Sequence, residues 1–274
     1  MDWKSLFDRI GLNGTRWQWR MIRIEKSLQK FRYGLLHPEQ AEFSLTKVII
    51  GINLILFSIM VLQGAATGRG LSVVFRPDTE LLLRSGAQNW WLVFNEGQWW
   101  RSITYAFTHG GLIHLGFNMF VLYQVGPLIE MEIGKARFMF LYVLTALTAT
   151  LARLFWLPFV TVVGASGALF GLIGFAAAYY HRMGDSIALQ RRNFMLQWAA
   201  LGFIFGFLVP RIDNTAHLGG AVGGAVLGLL LPIQGRLLRS TNRIFNFLGL
   251  ASVILVVLCL AILAWYWFAM WLGG

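Results

Sequence analysis

Six long stretches of the sequence contain no Asp, Glu, Lys or Arg, and no other feature limits the fold as strongly. They are residues 48–68, 102–129, 154–181, 193–210, 214–235 and 244–274. A seventh apolar stretch, residues 138–156, has Arg153 as its only charge, and we expect this side chain to extend towards the membrane interface. In hydrocarbon every backbone N–H and C=O must be bonded within its own segment, so apolar runs of about 18 residues or more are typical of spanning helices. The sequence therefore predicts an all-α polytopic membrane protein with six spans and a seventh transmembrane helix at the C-terminus.

The composition agrees with this class. Only 13% of the 274 residues are charged and 57% are apolar, whereas a soluble domain has about 25% charged residues. These values exclude a disordered chain, a disulfide scaffold and a soluble nucleic-acid-binding protein, so we expect no nucleic-acid partner. Cys259 is the only cysteine and cannot form an internal disulfide.

The basic residues predict the orientation. If the N-terminus is inside, seventeen of the 23 Lys and Arg lie on the inner side and the other six on the outer side. Cytoplasmic segments carry such an excess. We therefore predict a multi-pass membrane protein with the N-terminus in the cytoplasm and the C-terminus outside. Because the first long apolar run begins near residue 48, behind a charged tail, we expect no cleavable signal peptide.

Three segments follow from this pattern: a basic cytoplasmic tail (residues 1–44), a six-span domain (45–235), and a basic loop with the seventh span (236–274). In the tail, apolar residues recur at helical spacing between basic ones, namely Trp17, Met21, Ile24, Leu28 and Phe31. Such a pattern is typical of a helix that lies on an anionic lipid surface. The alternative is a solvated tail without this helix.

Polar residues inside a membrane are costly, so each is a hypothesis for a functional site. They form three groups, at the starts of the second, fourth and sixth spans: His109, His114 and Asn118; Ser166 between Gly164 and Gly171; and His217 before Gly220 and Gly224. In the predicted topology these three spans run from outside to inside. We therefore expect the groups to meet near the outer leaflet, with residues 157–163 as a non-helical, re-entrant segment before Ser166.

Ser166 and His217 together predict nucleophilic chemistry. A serine hydroxyl becomes a good nucleophile when a positioned imidazole accepts its proton. The start of a helix offers unpaired N–H groups for an oxyanion, here at Ser166. His114 and Asn118 are four residues apart, hence on one helical face, and can add side-chain donors. His109, five residues before His114, is expected to point away from that face.

The surroundings of the pair suggest how it is held. Gly167 and Gly171 in the fourth span, and Gly220, Gly224 and Gly228 in the sixth, have the spacing that lets two helices approach closely, although ordinary packing explains the same pattern. Phe170, one turn after Ser166, is expected to stack on His217; the alternative is contact with lipid or core. Asp213 is the only acidic residue near His217, and we expect it to cap the helix or to be solvated. The sequence therefore predicts a Ser-His dyad.

These motifs, in this order, resemble those of the rhomboid family of intramembrane serine proteases. The resemblance covers about residues 46–232 and rests on Gly164-x-Ser166-Gly167-x3-Gly171, Ala216-His217-x2-Gly220-x3-Gly224, His109-x4-His114-x3-Asn118, Trp100-Arg101 and Gly126-x3-Glu130-x3-Gly134. It implies a rhomboid-like six-helix bundle in which Ser166 is the nucleophile and His217 the general base. It further implies that His114, Asn118 and the Ser166 N–H form the oxyanion hole.

The resemblance also implies that His109 supports the cavity, that Trp100, Arg101 and Glu130 are structural, and that the substrates are transmembrane segments cut near the outer face. No cofactor or metal is expected. A catalytically inactive rhomboid-like protein that binds membrane clients is the main alternative. A metalloprotease is disfavoured because His-Glu-x-x-His is absent, an aspartyl protease because no span contains Asp, and a transporter because no polar line crosses the membrane.

Overall fold

The computed structural model describes residues 21, 23–26, 29, 43–156, 159–208, 213–233 and 241–273. The chain divides into two compact units, Met1–Ser44 and Leu45–Gly274. In the first unit, residues 21, 23–26 and 29 are helical. Trp17, Leu28 and Phe31 of the predicted tail helix lie outside the described residues. Lipid binding by the tail and the three predicted segments stay predictions.

The second unit is built from helices. In chain order they are α1 (Leu45–Ala66), α2 (Thr79–Arg84), α3 (Trp90–Asn95), α4 (Arg101–Thr104), α5 (Leu112–Ile133), α6 (Lys135–Trp156), α7 (Ser166–Met183), α8 (Ser186–Leu208), α9 (Asn214–Leu230) and α10 (Asn242–Gly273). Two 310 turns, Leu71–Val74 and Tyr105–Phe107, lie between α1 and α2 and just before α5. Within the described residues there is no strand, only an isolated bridge between Gln88 and Val162.

Seven of these helices are long, and they correspond to the seven predicted spans. Helices α1, α5, α6 and α10 are long and apolar enough to cross a membrane. Helices α7, α8 and α9, of 18, 23 and 17 residues, complete the six-helix bundle, with α10 as the seventh helix. The described part of the re-entrant segment, residues 159–163, is non-helical as predicted.

The second span begins later than predicted. Its helix was expected from residue 102, but α5 begins at Leu112. The intervening residues form the short helix α4, a 310 turn and a bend that ends at Gly111, whose φ of 131° few residues other than glycine adopt. The absence of charged residues indicates that a stretch lies in apolar surroundings. The residue at which the helix begins is decided instead by the turn that ends at Gly111.

Helices α7 and α9 are in backbone contact. A Cβ atom on Gly220 would collide with the carbonyl oxygen of Gly167, and one on Gly224 with that of Gly171. The predicted glycine pairs therefore lie at the contact between these two helices, where only a missing side chain permits such an approach. This contact holds the first turns of α7 and α9, with Ser166 and His217, next to each other.

Candidate active site

Ser166 is the first residue of α7. The residue before it, Ala165, cannot cap the helix through its side chain, so the first N–H groups of α7 have no side-chain cap. Gly164 has a φ of 111°, and its N–H donates to the Tyr105 carbonyl at 2.9 Å. A turn that requires glycine thus leads directly into the serine, whose side chain is half-buried.

His217 lies in the first turn of α9 and is buried, with 4% of its surface exposed. Its neighbour Ala216 approaches α7, since a Cβ on Gly167 would be 3.8 Å from the Ala216 carbonyl oxygen. Among the described residues, His217 Nδ1 has no hydrogen-bond partner. Ser166 and His217 themselves are not joined by a hydrogen bond in this structure. Catalytic hydrogen bonds are often long before substrate binds, so this separation is compatible with a working pair.

The Phe170 ring stacks on the His217 imidazole, with centroids 4.2 Å apart and planes 16° apart. The predicted stacking contact is therefore present. Helix α8 lies beside this pair: the Phe203 ring is 4.8 Å from that of Phe170 and 6.2 Å from that of His217, and a Cβ on Gly202 would be 2.6 Å from Phe170 Cζ. Sequence reasoning missed Phe203 and Gly202, because neither has a polar atom or a motif that marks it.

His114 faces the nucleophile turn. A Cβ on Gly164 would be 2.6 Å from His114 Cε1 and 2.7 Å from Nε2, so only glycine leaves room for this ring. Asn118 is buried and donates from Nδ2 to the His114 carbonyl at 2.8 Å. An amide nitrogen carries two hydrogens, which leaves one for another acceptor.

The prediction that His109 points away from His114 is wrong. It assumed a continuous helix, but His109 precedes α5 and lies in the bend before it. Its ring is 5.2 Å from that of His114, and the Ala165 N–H donates to His109 Nε2 at 3.5 Å. His109 is therefore a neighbour of both His114 and the nucleophile turn.

Arg153, which was expected to extend towards the membrane interface, is buried and paired with Asp213. Its Nε lies 2.5 Å from Asp213 Oδ2. The other oxygen, Oδ1, accepts from the N–H groups of Thr215 and Ala216 at 3.0 and 3.1 Å. The predicted helix cap is thus present, and both carboxylate oxygens are occupied by groups other than His217. The signal in the sequence was a pair of opposite charges, Arg153 and Asp213, that the predicted topology places on one side of the membrane.

The other predicted supporting residues have clear structural contacts. Glu130 of α5 accepts from the N–H groups of Leu45 and Thr46 at 2.7 and 3.0 Å, at the start of α1, where a carboxylate stabilises unpaired N–H groups. Trp100 is buried, and the Arg101 guanidinium lies 4.5 Å from its ring centroid. Among the described residues no group of three His, Cys, Asp or Glu side chains is arranged to hold a metal ion.

The fold and the site define a class of protein: a polytopic helical membrane protein in which two closely packed helices carry a serine and a histidine in their first turns. The sequence model of the Rhomboid domain matches residues 96–234, slightly more than half of the chain. The chain therefore belongs to the rhomboid family.

Curated relatives agree with this assignment. Rhomboid protease GluP of Bacillus subtilis is 32% identical over 200 residues, which cover 69% of this chain and 36% of GluP. RHOMBOID-like protein 2 of Arabidopsis thaliana is 32% identical over 169 residues, covering 59% of this chain and 51% of that protein. RHOMBOID-like protein 5 of the same plant is 35% identical over 169 residues, covering 60% and 53%. The chain thus spans about a third to a half of these relatives.

Proposed function

We propose that the chain is an intramembrane serine endopeptidase that cuts transmembrane segments of other membrane proteins through a Ser-His dyad. One observation carries the proposal: Phe170, one turn after Ser166, stacks on His217. This contact holds an imidazole beside the start of the helix that bears the serine. GluP, a relative, is named a rhomboid protease, which agrees with this activity.

In the proposed reaction, the Ser166 hydroxyl oxygen attacks the carbonyl carbon of the substrate peptide bond while His217 accepts the hydroxyl proton. The tetrahedral intermediate collapses to an acyl-enzyme, and His217 returns the proton to the leaving amine. Water then attacks the acyl ester while His217 accepts its proton; the bond between the acyl carbon and the Ser166 oxygen breaks, and His217 returns the proton to that oxygen, which regenerates Ser166 and releases the acid. No cofactor takes part in this sequence.

The oxyanion is proposed to be bound by the Ser166 N–H, His114 and Asn118. The uncapped start of α7 supports the first of these donors. The close approach of His114 to Gly164 and the spare N–H of Asn118 support the other two. His109 is proposed to hold this region through its hydrogen bond with the Ala165 N–H. Gly164 is proposed to permit the close approach of His114, and Gly167 that of α9.

A dyad is favoured over a triad because both oxygens of the Asp213 carboxylate are already engaged, by the α9 cap and by Arg153. In place of a carboxylate, the Phe170 ring is proposed to orient the imidazole. Stacked aromatic pairs are worth about 0.5–1.5 kcal/mol beyond area burial.

The proposed substrates are membrane proteins whose helix unwinds locally at the cut, so small residues at the cut with Gly or Pro nearby are expected. They are proposed to reach the site laterally past α8 and to be cut near the outer leaflet. The proposed topology has the N-terminus in the cytoplasm and the C-terminus outside, in a bacterial cytoplasmic membrane. The lipid bilayer, with anionic lipid at the tail, is the other proposed partner.

The test is co-expression with a panel of single-span reporter proteins that carry Gly- or Pro-containing transmembrane segments. We expect cleavage by the wild type and none by Ser166→Ala. Ser58→Ala is the matched control, because Ser58 is exposed on α1 and donates only to the Leu54 carbonyl of its own helix. Cleavage that persists in Ser166→Ala would contradict the proposal.

A second candidate is a rhomboid-like pseudoprotease that binds membrane clients without cutting them, with which an unbonded Ser166 and His217 are equally compatible. This candidate predicts that wild type and Ser166→Ala retain the same reporters in detergent pull-downs and that neither cleaves them. The presence of both Ser166 and His217 in adjoining helix starts supports the protease instead.

A further inference from the structure

The first outer loop contains five consecutive residues, 83–87, whose carbonyl groups all accept hydrogen bonds from side chains of other parts of the chain. We call residues 83–87 the carbonyl turn. The five bonds, at 2.6–2.8 Å, run from Arg101 to Leu83 and Ala87, from Thr104 to Gly86, from Thr108 to Ser85, and from Trp267 to Arg84. Four of them come from residues in or just after α4. The fifth comes from α10, 183 residues along the chain from its acceptor.

Helix α10 contacts this region through one face near its outer end. Besides the Trp267 bond, the Tyr266 ring lies 5.8 Å from that of Trp100, and the Arg101 guanidinium carbon lies 5.8 Å from the Tyr266 ring centroid. One turn earlier, Leu263 is buried, and a Cβ on Gly86 would be 3.1 Å from its Cδ2. The seventh helix therefore holds both the carbonyl turn and the arginine that binds it.

The carbonyl turn leads directly to the nucleophile segment. Its next residue, Gln88, exchanges two backbone hydrogen bonds with Val162, at 3.0 and 2.9 Å. Val162 is four residues before Ser166, and between them the Gly164 N–H is bonded to the Tyr105 carbonyl. Two hydrogen-bonded points thus fix the backbone that enters α7, and one of them depends on the carbonyl turn.

We infer that α10 positions the nucleophile of the family domain through the carbonyl turn, with Trp267 as the positioning residue. The inference rests on the proposed role of Ser166. Residues 241–273 lie beyond the match to the Rhomboid domain, which ends at residue 234. The seventh helix thereby acquires a role at the site, although it contributes no group to the chemistry. Because a displacement of about 1 Å at a reacting group can cost a factor of about 100 in rate, a single lost anchor is enough to be measured.

The test measures the rate at which a fluorescent fluorophosphonate labels the purified full chain in detergent. Trp267→Phe removes the N–H donor and keeps an aromatic ring, and we expect labelling to slow about tenfold as the backbone before Ser166 loosens. Trp265→Phe is the matched control. Trp265 lies on the same helix, is 67% exposed, and has its described ring contact with Phe268 instead of the loop. Its labelling rate is expected to equal that of the wild type.

A disulfide between positions 88 and 162 separates positioning from general stability. Residues that exchange two antiparallel backbone bonds have Cα atoms about 5.5 Å apart, within the range a disulfide spans. Gln88→Cys and Val162→Cys are added to Trp267→Phe with Cys259→Ala, so that the native thiol does not react. We expect the oxidised form of this variant to be labelled as fast as the otherwise identical protein that keeps Trp267. The reduced form is expected to be labelled slowly.

Equal labelling of Trp267→Phe and wild type would overturn the inference and leave the proposed function intact. Slow labelling that the disulfide does not restore would overturn it too, since Trp267 would then only stabilise the bundle. If Trp267→Phe does not purify as a folded protein, Tyr266→Leu is tested with the same disulfide and the same criteria. A wild type that is not labelled, like Ser166→Ala, would refute the proposed function and with it this inference.

Discussion

Gly167 offers a sharp test of whether the helix contacts set the geometry of the site. It follows Ser166 directly, and in a Gly167→Ala variant the new Cβ would be 2.6 Å from the Ala149 Cβ of α6 and 3.1 Å from the Tyr105 hydroxyl oxygen. Carbon atoms in good contact are about 3.5–4.0 Å apart, so α7 would have to move by about 1 Å. It cannot simply move towards α9, because Gly220 already abuts the Gly167 carbonyl.

We therefore expect Gly167→Ala to lower the fluorophosphonate labelling rate by about 100-fold, the cost of a displacement of about 1 Å at a reacting group. Overpacking of this kind also destabilises by about 1–3 kcal/mol, which thermal unfolding in detergent measures. Gly51→Ala is the control, since a Cβ there has nothing within 4 Å and lies on α1. It should label at the wild-type rate. If Gly167→Ala labelled within about twofold of the wild type, the reasoning that links packing to site geometry would be refuted.

Three further predictions concern the surroundings of the site. Arg153→Leu leaves the Asp213 carboxylate without its partner and should lower thermal stability by about 2–3 kcal/mol, less than for a fully buried pair because Asp213 is 19% exposed. Adding Asp213→Asn to this variant should recover much of the lost stability. Equal stability of the single and double variants would contradict this prediction. Phe170→Leu removes the ring stacked on His217 and should slow labelling about tenfold, whereas an unchanged rate would show that the stack does not orient the imidazole. Hydrogen bonds from the Leu81 N–H and from Arg69 hold the pKa of Asp78, in the loop after α1, below its ordinary value of 3.8. The ionised carboxylate therefore stabilises the loop above pH 3.8, and this stabilisation is lost as the pH falls through the folded-state pKa. The unfolding temperature should therefore drop at low pH by less in Asp78→Asn than in wild type, and equal drops would contradict the assignment.

The seven spans could be predicted from the sequence because a charge or an unpaired backbone group costs free energy in hydrocarbon. Spanning helices therefore coincide with long stretches that lack charged residues. The start of α5 could not be predicted. Residues 102–111 are as free of charge as the helix that follows, yet α4, a 310 turn and Gly111 occupy them. Hydropathy indicates that a segment lies in apolar surroundings, but it does not indicate which backbone conformation the segment adopts there.

Within the site, single-helix spacing was sufficient for some contacts and misleading for others. Phe170 on His217 follows from the one-turn offset after Ser166 and the glycine pairs that bring α7 and α9 together. His109 was misplaced because the spacing rule was applied across a bend. The ion pair of Arg153 was not predicted, because its partner Asp213 lies on another element. Contacts that depend on a third element, such as those of Gly202 and Phe203 with Phe170, leave no pattern in one sequence.

The proposed protease activity requires that His217 activates Ser166. Fluorophosphonate labelling of the purified chain tests this with wild type, His217→Ala and Ser166→Ala. His181→Ala serves as the control, because His181 lies at the opposite end of α7 and contacts Arg192. We predict labelling of wild type and His181→Ala, none of Ser166→Ala, and a rate about 100- to 10,000-fold lower for His217→Ala, the contribution typical of a general base. Labelling of His217→Ala at the wild-type rate would contradict the central claim.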